Sequence, residues 1–452
     1  MTLTFIRHAD QLASMDDCRR EIADGAIAFR DGVIEAVGTS VELAPFAAIA
    51  DTIIDAHGCV VTPGLVNTHH HLYQTLTRAV PGAINASLFD WLKRLYPIWA
   101  RYTPDDMFAA TRLGLAELAL SGCSLTSDHL YLFPNGSTLD DTIAAAATIG
   151  LRFHATRGAM SVGESGGGLP PDSLVEREPA ILADSIRVID RFHDPAPGAM
   201  VRIAVAPCSP FSVSEGLMRD AALLARDKQV MLHTHLAEDA DDVAFSLARF
   251  GCRPGQYAER LGWTGADVWH AHCVQLDAQE IDLFARTRTG VAHCPCSNGR
   301  LGSGIAPIRA MIDRGVPIGI GVDGSASNDS GHLLLEARQA MLMQRALRGP
   351  AALDPREALF LATRGGAEML GRSDCGALVP GRRADIAVWT MAEPASLGVW
   401  DKIAGLVLSP PAGVRDLFVE GRLVVRDGHL ASANPGEIRR DAERSLARLQ
   451  AA

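Results

Sequence analysis

The sequence predicts an α/β fold, a (β/α)8 TIM barrel carrying a small β-sandwich domain built from both chain ends. Three observations predict it. Eight apolar, β-rich runs alternate with helical stretches through the centre of the chain, the order expected of parallel strands each followed by a helix. The runs are near-continuously apolar, as in strands buried on both faces. Polar, ligand-type residues close several of the runs, at the end where barrel enzymes keep their active sites. That last point favours the barrel over a doubly wound open sheet.

Residues 1–60 form the first part of the sandwich. Their clearest element is Gly25–Gly38, where apolar alternation turns at Asp31-Gly32 and resumes, a hairpin pattern. Residues 61–365 form the barrel. Its strands are expected in Val60–His71, Cys123–Leu130, Arg152–Gly158, Val201–Pro207, Val230–Glu238, Asp267–Val274, Gly290–Pro295 and Pro317–Asp323. The 159–200 stretch, with Gly166-Gly167-Gly168 and Pro170-Pro171, reads as a long connection of the kind that forms lids or stays disordered. Residues 366–435 return to the sandwich, with a strand at Ala384–Trp389 and a pair at Val414–Gly428 turning at Glu420-Gly421. Residues 436–452 close the chain with an amphipathic C-terminal helix.

Composition excludes several classes of protein. With 452 residues, 48% hydrophobic and 21% charged, the chain is large enough to bury a sizeable core and too apolar for intrinsic disorder. A net charge of −11 argues against nucleic acid as a partner. No run approaches the roughly 18 apolar residues of a membrane span. The first ten residues lack a basic-then-apolar signal pattern, and the nine cysteines form neither a disulfide framework nor a Cys-x-x-Cys pair. A cytoplasmic location is expected.

The chemistry lies at the strand ends. In His69-His70-His71, side-chain alternation puts His69 and His71 on one face, about 6–7 Å apart along the chain, close enough to converge on one ion. His233-Thr234-His235-Leu236-Ala237-Glu238 ends the fifth run; His235 offers a third nitrogen, and His233 shares its face one layer deeper. Glu238 follows where strand gives way to loop, beside the ion without ligating it. His272 ends the sixth run and Asp323 the eighth. A carboxylate closing an apolar strand is costly unless it is paired or bound to a metal. Four strand ends delivering these groups in order predict a metal site. His129 and His293 also end strands and are read as orienting groups. Cys294-Pro295-Cys296 is too tight for an ordinary metal clasp and reads as structural.

Gathered in this order, the motifs resemble those of the amidohydrolase superfamily, and most of all its deaminase and chlorohydrolase branch. Pro63-Gly64-Leu65-Val66-Asn67-Thr68-His69-His70-His71 is similar to the first-strand motif. His235-Leu236-Ala237-Glu238, His272, His293–Asn298, Asp323–Asn328 and Gly381–Asp385 are similar to the later ones. The resemblance implies metal ligands at His69, His71, His235 and Asp323, with Glu238 and His272 handling protons and water; Asp323 is further read as the acceptor of the water proton. Other members hold two metals bridged by a carboxylated lysine after the fourth strand. The chain has only Lys93, Lys228 and Lys402, none ending a barrel strand. One divalent ion is therefore expected, Zn or alternatively Fe.

The resemblance also implies a hydrolytic deaminase of an amino-substituted aromatic heterocycle, a small purine-like molecule, acting as a homodimer. Gln74 stands where guanine-deaminase-like relatives place an amide against the purine, and an amide both donates and accepts, which suits a lactam edge. Cys208, after the fourth strand, faces the same barrel end; Trp91 and Trp99 are candidate stacking walls. Residues 126–136 and 166–172 look most like those of 8-oxoguanine deaminases. A guanine deaminase or s-triazine amino- or chlorohydrolase with the same machinery, and more remotely a non-catalytic metal-bearing scaffold, are the alternatives.

Overall fold

The computed structural model describes residues 2–409 and 412–451. Eight parallel strands lie side by side in chain order: Leu65–Asn67, Cys123–Leu130, Arg152–Ala159, Val201–Pro207, Met231–Leu236, Val268–His272, Gly290–His293 and Ile318–Ile320. The first and last meet through backbone bonds, Thr68 N–H to Ile320 O at 2.9 Å and Asp323 N–H to His69 O at 3.0 Å. The Asn67 side chain bridges the same seam, accepting from Val322 N at 2.9 Å and donating to Thr126 Oγ1 at 3.0 Å. Helices follow the strands outside the barrel, as the alternation requires.

Two expectations are corrected. The apolar run Val60–His71 is not one strand. Cys59–Pro63 pairs antiparallel with Ile386–Thr390 in a second sheet, and only Leu65–Asn67 joins the barrel. Gly64 marks the changeover: an added Cβ there would stand 2.5 Å from Ser124 Cβ. The 159–200 connection is also largely ordered. It contains the helix Glu178–Phe192, and Arg157, at the end of the third strand, ties the loop down through Glu176 at 2.8 Å and Asp184 at 2.7 Å.

The second sheet has nine strands drawn from both ends of the chain. Phe29 and Phe418 lie four strands apart in its order, yet their ring centroids are 5.3 Å apart. Neighbouring strands are spaced about 4.8 Å, so the sheet folds over on itself, around Ile6, Leu12, Ile27, Val61, Ile386 and Val388. Both hairpin turns use positive φ where the sequence offers Asp31-Gly32 and Glu420-Gly421. The C-terminal helix, Pro435–Gln450, buries Ile438, Ala442, Ser445 and Leu449, the apolar stripe of its pattern. Asp385 joins the sheet to the barrel by a bidentate pair with the fully buried Arg152, at 2.6 and 2.9 Å.

Candidate active site and metal centre

The barrel seam creates the site. Because the first strand closes on the eighth, His69 and Asp323 are backbone neighbours although 254 positions separate them in the sequence. His272 and Asp323 both have left-handed backbone, with φ of 69° and 62°. Such conformations cost on the order of 1–3 kcal/mol in a non-glycine residue and persist where the surroundings over-determine them. Both side chains are buried, with His272 Nε2 3.9 Å from Asp323 Oδ2.

Hydrogen-bond partners fix how the histidines present themselves. His71 Nδ1–H donates to His129 O at 2.7 Å, and His235 Nδ1–H to Cys208 O at 2.7 Å. Carbonyls only accept, so Nε2 of each neutral ring carries a lone pair and no hydrogen. Yet these two Nε2 atoms lie 3.0 Å apart. His69 Nε2 and His71 Nε2 stand 3.3 and 3.4 Å from Asp323 Oδ1. His69 Nε2 is buried with no hydrogen-bond partner. Lone pairs and a carboxylate oxygen facing one another repel unless a cation lies among them. Imidazole nitrogens and a carboxylate are the donors a divalent transition metal takes. The ligand atoms of His69, His272 and Asp323 lie within 4.8 Å of one another, as do those of His69, His129 and His235.

Electrostatics agree. Burial pushes His235 down to about 3 and holds His69 and His71 below the ordinary imidazole value, leaving neutral rings. For Asp323, burial opposes ionisation, but the rings beside it, His69 first and then His272 and His71, outweigh burial and hold the carboxyl well below its usual range. Ser297 Oγ–H donates to Asp323 Oδ2 at 2.5 Å.

Glu238 is the opposite case. Burial, then the negative fields of Asp323, Asp239 and Asp242, push its carboxyl well above the ordinary value. Its Oε2 lies 3.5 Å from His272 Nε2, while His272 Nδ1 is bonded to Asn298 Oδ1 at 2.8 Å. Two carboxyls whose surroundings push them in opposite directions thus flank one histidine, the arrangement that separates base from acid.

Gln74 sits on a single helical turn, Leu72–Thr77, directly after His71. Its Nε2 donates to Tyr73 Oη at 3.3 Å, and its Oε1 is buried without a partner. A Cβ at residue 324 would approach Gln74 Oε1 to 1.9 Å, so Gly324 leaves the room in which the amide sits. Trp91, Tyr96, Tyr131, Cys208 and Phe211 complete the pocket wall. Burial raises the Cys208 thiol to about 12, which keeps it protonated, and its carbonyl is the group that orients His235. Trp99 is not a wall residue. It packs edge-on against Tyr73 at 5.2 Å and donates Nε1–H to Thr77 Oγ1.

His129 orients through its backbone carbonyl, and its own Nε2–H goes to Ala206 O at 2.9 Å. His293 is buried with neither ring nitrogen bonded to protein. Lys93 is exposed on the helix Leu88–Trp99, and Lys228 pairs with Asp190 at 2.6 Å, so neither stands beside the histidines. Sequence reasoning missed Ser297, which holds Asp323, and Asp128, whose Oδ1 accepts from Leu72 N at 2.8 Å and pins the backbone after His71. Asp128 had a signal, an acid inside an apolar strand.

Residues 60–424 match the family model described as the amidohydrolase family. The chain belongs to that family. An 8-oxoguanine deaminase of Pseudomonas aeruginosa is 47% identical over 409 residues, covering 90% of each chain. An isoxanthopterin deaminase from an unknown prokaryotic organism is 39% identical, covering 92% of this chain and 90% of its own. The zinc complex of an atrazine chlorohydrolase from Arthrobacter aurescens superposes with a TM-score of 0.93 at 34% identity, covering 98% of this chain and 100% of the other. No helix of this amidohydrolase, among the described residues, is long and apolar enough to cross a membrane.

Proposed function

We propose that this amidohydrolase is a metal-dependent hydrolytic deaminase that converts 8-oxoguanine and water to urate and ammonia. The observation that carries the reading is the convergence of Asp323 and Glu238 on His272 Nε2, at 3.9 and 3.5 Å, beside convergent imidazole lone pairs. The 47% identity to an 8-oxoguanine deaminase supports the choice of base.

In this reading His69, His71, His235 and Asp323 hold one divalent ion. The zinc complex of the chlorohydrolase supports zinc, and the donor set suits iron as well. When bound, such an ion supplies Lewis acidity and makes hydroxide available near neutral pH. Asp323 takes the proton of the attacking water, and His272 Nε2 orients the oxygen by accepting its hydrogen. Glu238 donates its proton to a ring nitrogen beside C2 as the C–O bond forms. A second proton transfer then lets the C2–N bond break and ammonia leave. Gln74 offers Oε1 to the lactam N–H and Nε2–H to its carbonyl; Cys208 and Trp91 border the ring.

Ammonia release from metal-loaded enzyme, measured across purines, pterins and triazines, tests the proposal. Fastest turnover of 8-oxoguanine supports it. Release confined to aminotriazines, or chloride release from chlorotriazines without purine turnover, contradicts it.

A further inference from the structure

We propose that His233, one layer below the site, is a positioning residue that sets the tautomer of His69 and so turns the His69 lone pair toward the metal. The inference rests on the reading of His69 as a ligand and deepens it.

His233 and His235 share one face of the fifth strand, two residues apart. The His233 ring is fully buried and lies flat against Trp269, with centroids 4.4 Å apart and 14° between planes. His233 Nδ1 is 2.9 Å from Trp269 O, and its Nε2 is 2.8 Å from His69 Nδ1. The indole Nε1–H of Trp269 donates to Thr68 O at 3.1 Å, one residue before His69. These contacts form a closed loop at the C-terminal end of the first strand.

For neutral rings, counting hydrogens around that loop leaves one solution. The Trp269 carbonyl can only accept, so His233 carries its hydrogen on Nδ1. His233 Nε2 is then a lone pair and can only accept, so His69 must carry its hydrogen on Nδ1. His69 Nε2 is left bare, buried, and 3.3 Å from Asp323 Oδ1. Without His233, the His69 Nδ1–H loses its acceptor, and the other tautomer, whose Nε2–H can donate to Asp323, is favoured. In that tautomer the nitrogen has no lone pair to give a metal. The tautomer of a ligating histidine is set by the bond its other nitrogen makes, and here that bond is to a second imidazole whose own tautomer is fixed by a carbonyl.

The test uses the full-length protein stripped of metal, with 15N-labelled histidine, and a chromophoric chelator competing for Zn²⁺. Wild-type apoprotein is expected to show His69 protonated at Nδ1. His233→Leu should show the Nε2–H tautomer and bind Zn²⁺ about 10–100-fold more weakly, the usual effect of losing such a partner. His233→Gln, whose amide oxygen can accept from His69 while its NH2 donates to Trp269 O, should recover most of the affinity. Protonation of His69 at Nε2 in the wild type overturns the proposal, without any variant having to fold. So does wild-type affinity in His233→Leu, or equal loss in Leu and Gln variants. If the wild type shows the expected tautomer but takes up no metal, the ligand reading of His69 fails, and the proposal with it. That outcome differs from a wrong tautomer in a protein that does bind metal.

Discussion

Asp323 donates its backbone N–H to His69 O at 3.0 Å, while its carboxylate faces the same residue's Nε2 at 3.3 Å. One contact closes the barrel and the other builds the cation cradle. Closing the seam and assembling the site are therefore the same event, and the site exists only in a chain whose eighth strand is docked on its first.

Metal content follows from that cradle. Metal-replete protein is expected to hold about one transition metal per chain by elemental analysis. His71→Ala, which removes one lone pair while leaving the barrel seam intact, should lose it. Two stoichiometric ions would contradict the reading of the lysines, none of which reaches the site.

Glu238→Gln should keep the metal and still bind substrate but lose turnover by about 10²–10⁴-fold, the usual cost of removing a general acid–base group. The amide preserves shape and burial, so a loss measured in kcat separates proton transfer from binding. Near-wild-type turnover would remove Glu238 from the proton path.

The pH profile carries a sign. Burial and the neighbouring acids raise the Glu238 carboxyl well above its ordinary value, and the form that acts is the protonated one. Activity is therefore retained through the ordinary carboxylate range and lost as pH rises through the raised value. Asp323, held well below its usual range, acts ionised and imposes no loss until strongly acid conditions. A log kcat/KM plot should show a descending alkaline limb; a rate that climbs steadily with pH would contradict the acid role of Glu238.

Gly324→Ala should mimic loss of Gln74. Its methyl would press on Gln74 Oε1, so both Gly324→Ala and Gln74→Leu should lower kcat/KM on the order of 10–100-fold, the cost of leaving one buried polar partner unmet. Metal content should not change. Unaltered kinetics in both variants would take Gln74 out of substrate recognition.

The Arg152–Asp385 pair makes a stability prediction. Asp385→Ala strands a buried guanidinium, a change worth about 3–5 kcal/mol in denaturant unfolding, with kcat per metal-loaded chain unchanged. A cost under about 1 kcal/mol would mean that Glu420, the second acid on Arg152, suffices alone.

Much of this was legible in the sequence because barrel strands are local signals: each apolar run is contiguous, and its closing residues reach one common rim. His69, His71, His235, Glu238, His272 and Asp323 could all be found that way. Pairing was harder to read. Val60–His71 is one apolar run, and nothing local tells that Cys59–Pro63 belongs beside Ile386–Thr390, more than 300 residues away. Trp91 and Trp99 look alike in sequence and their rings touch edge-on at 5.6 Å, yet Trp91 borders the pocket while Trp99 packs behind it against Tyr73. Partners such as Ser297 and the Cys208 carbonyl act through single hydrogen bonds, and no pattern announces those.

8-Oxoguanine differs from guanine at the end of the ring system far from C2, by a carbonyl and an added N7–H. Polar groups placed for those atoms would be left unpaired by guanine, and unpaired buried groups discriminate strongly. The decisive measurement is kcat/KM for 8-oxoguanine against guanine with the same metal-loaded enzyme. The larger value is expected for 8-oxoguanine, with urate as product; equal or greater efficiency on guanine would contradict the assignment of the base.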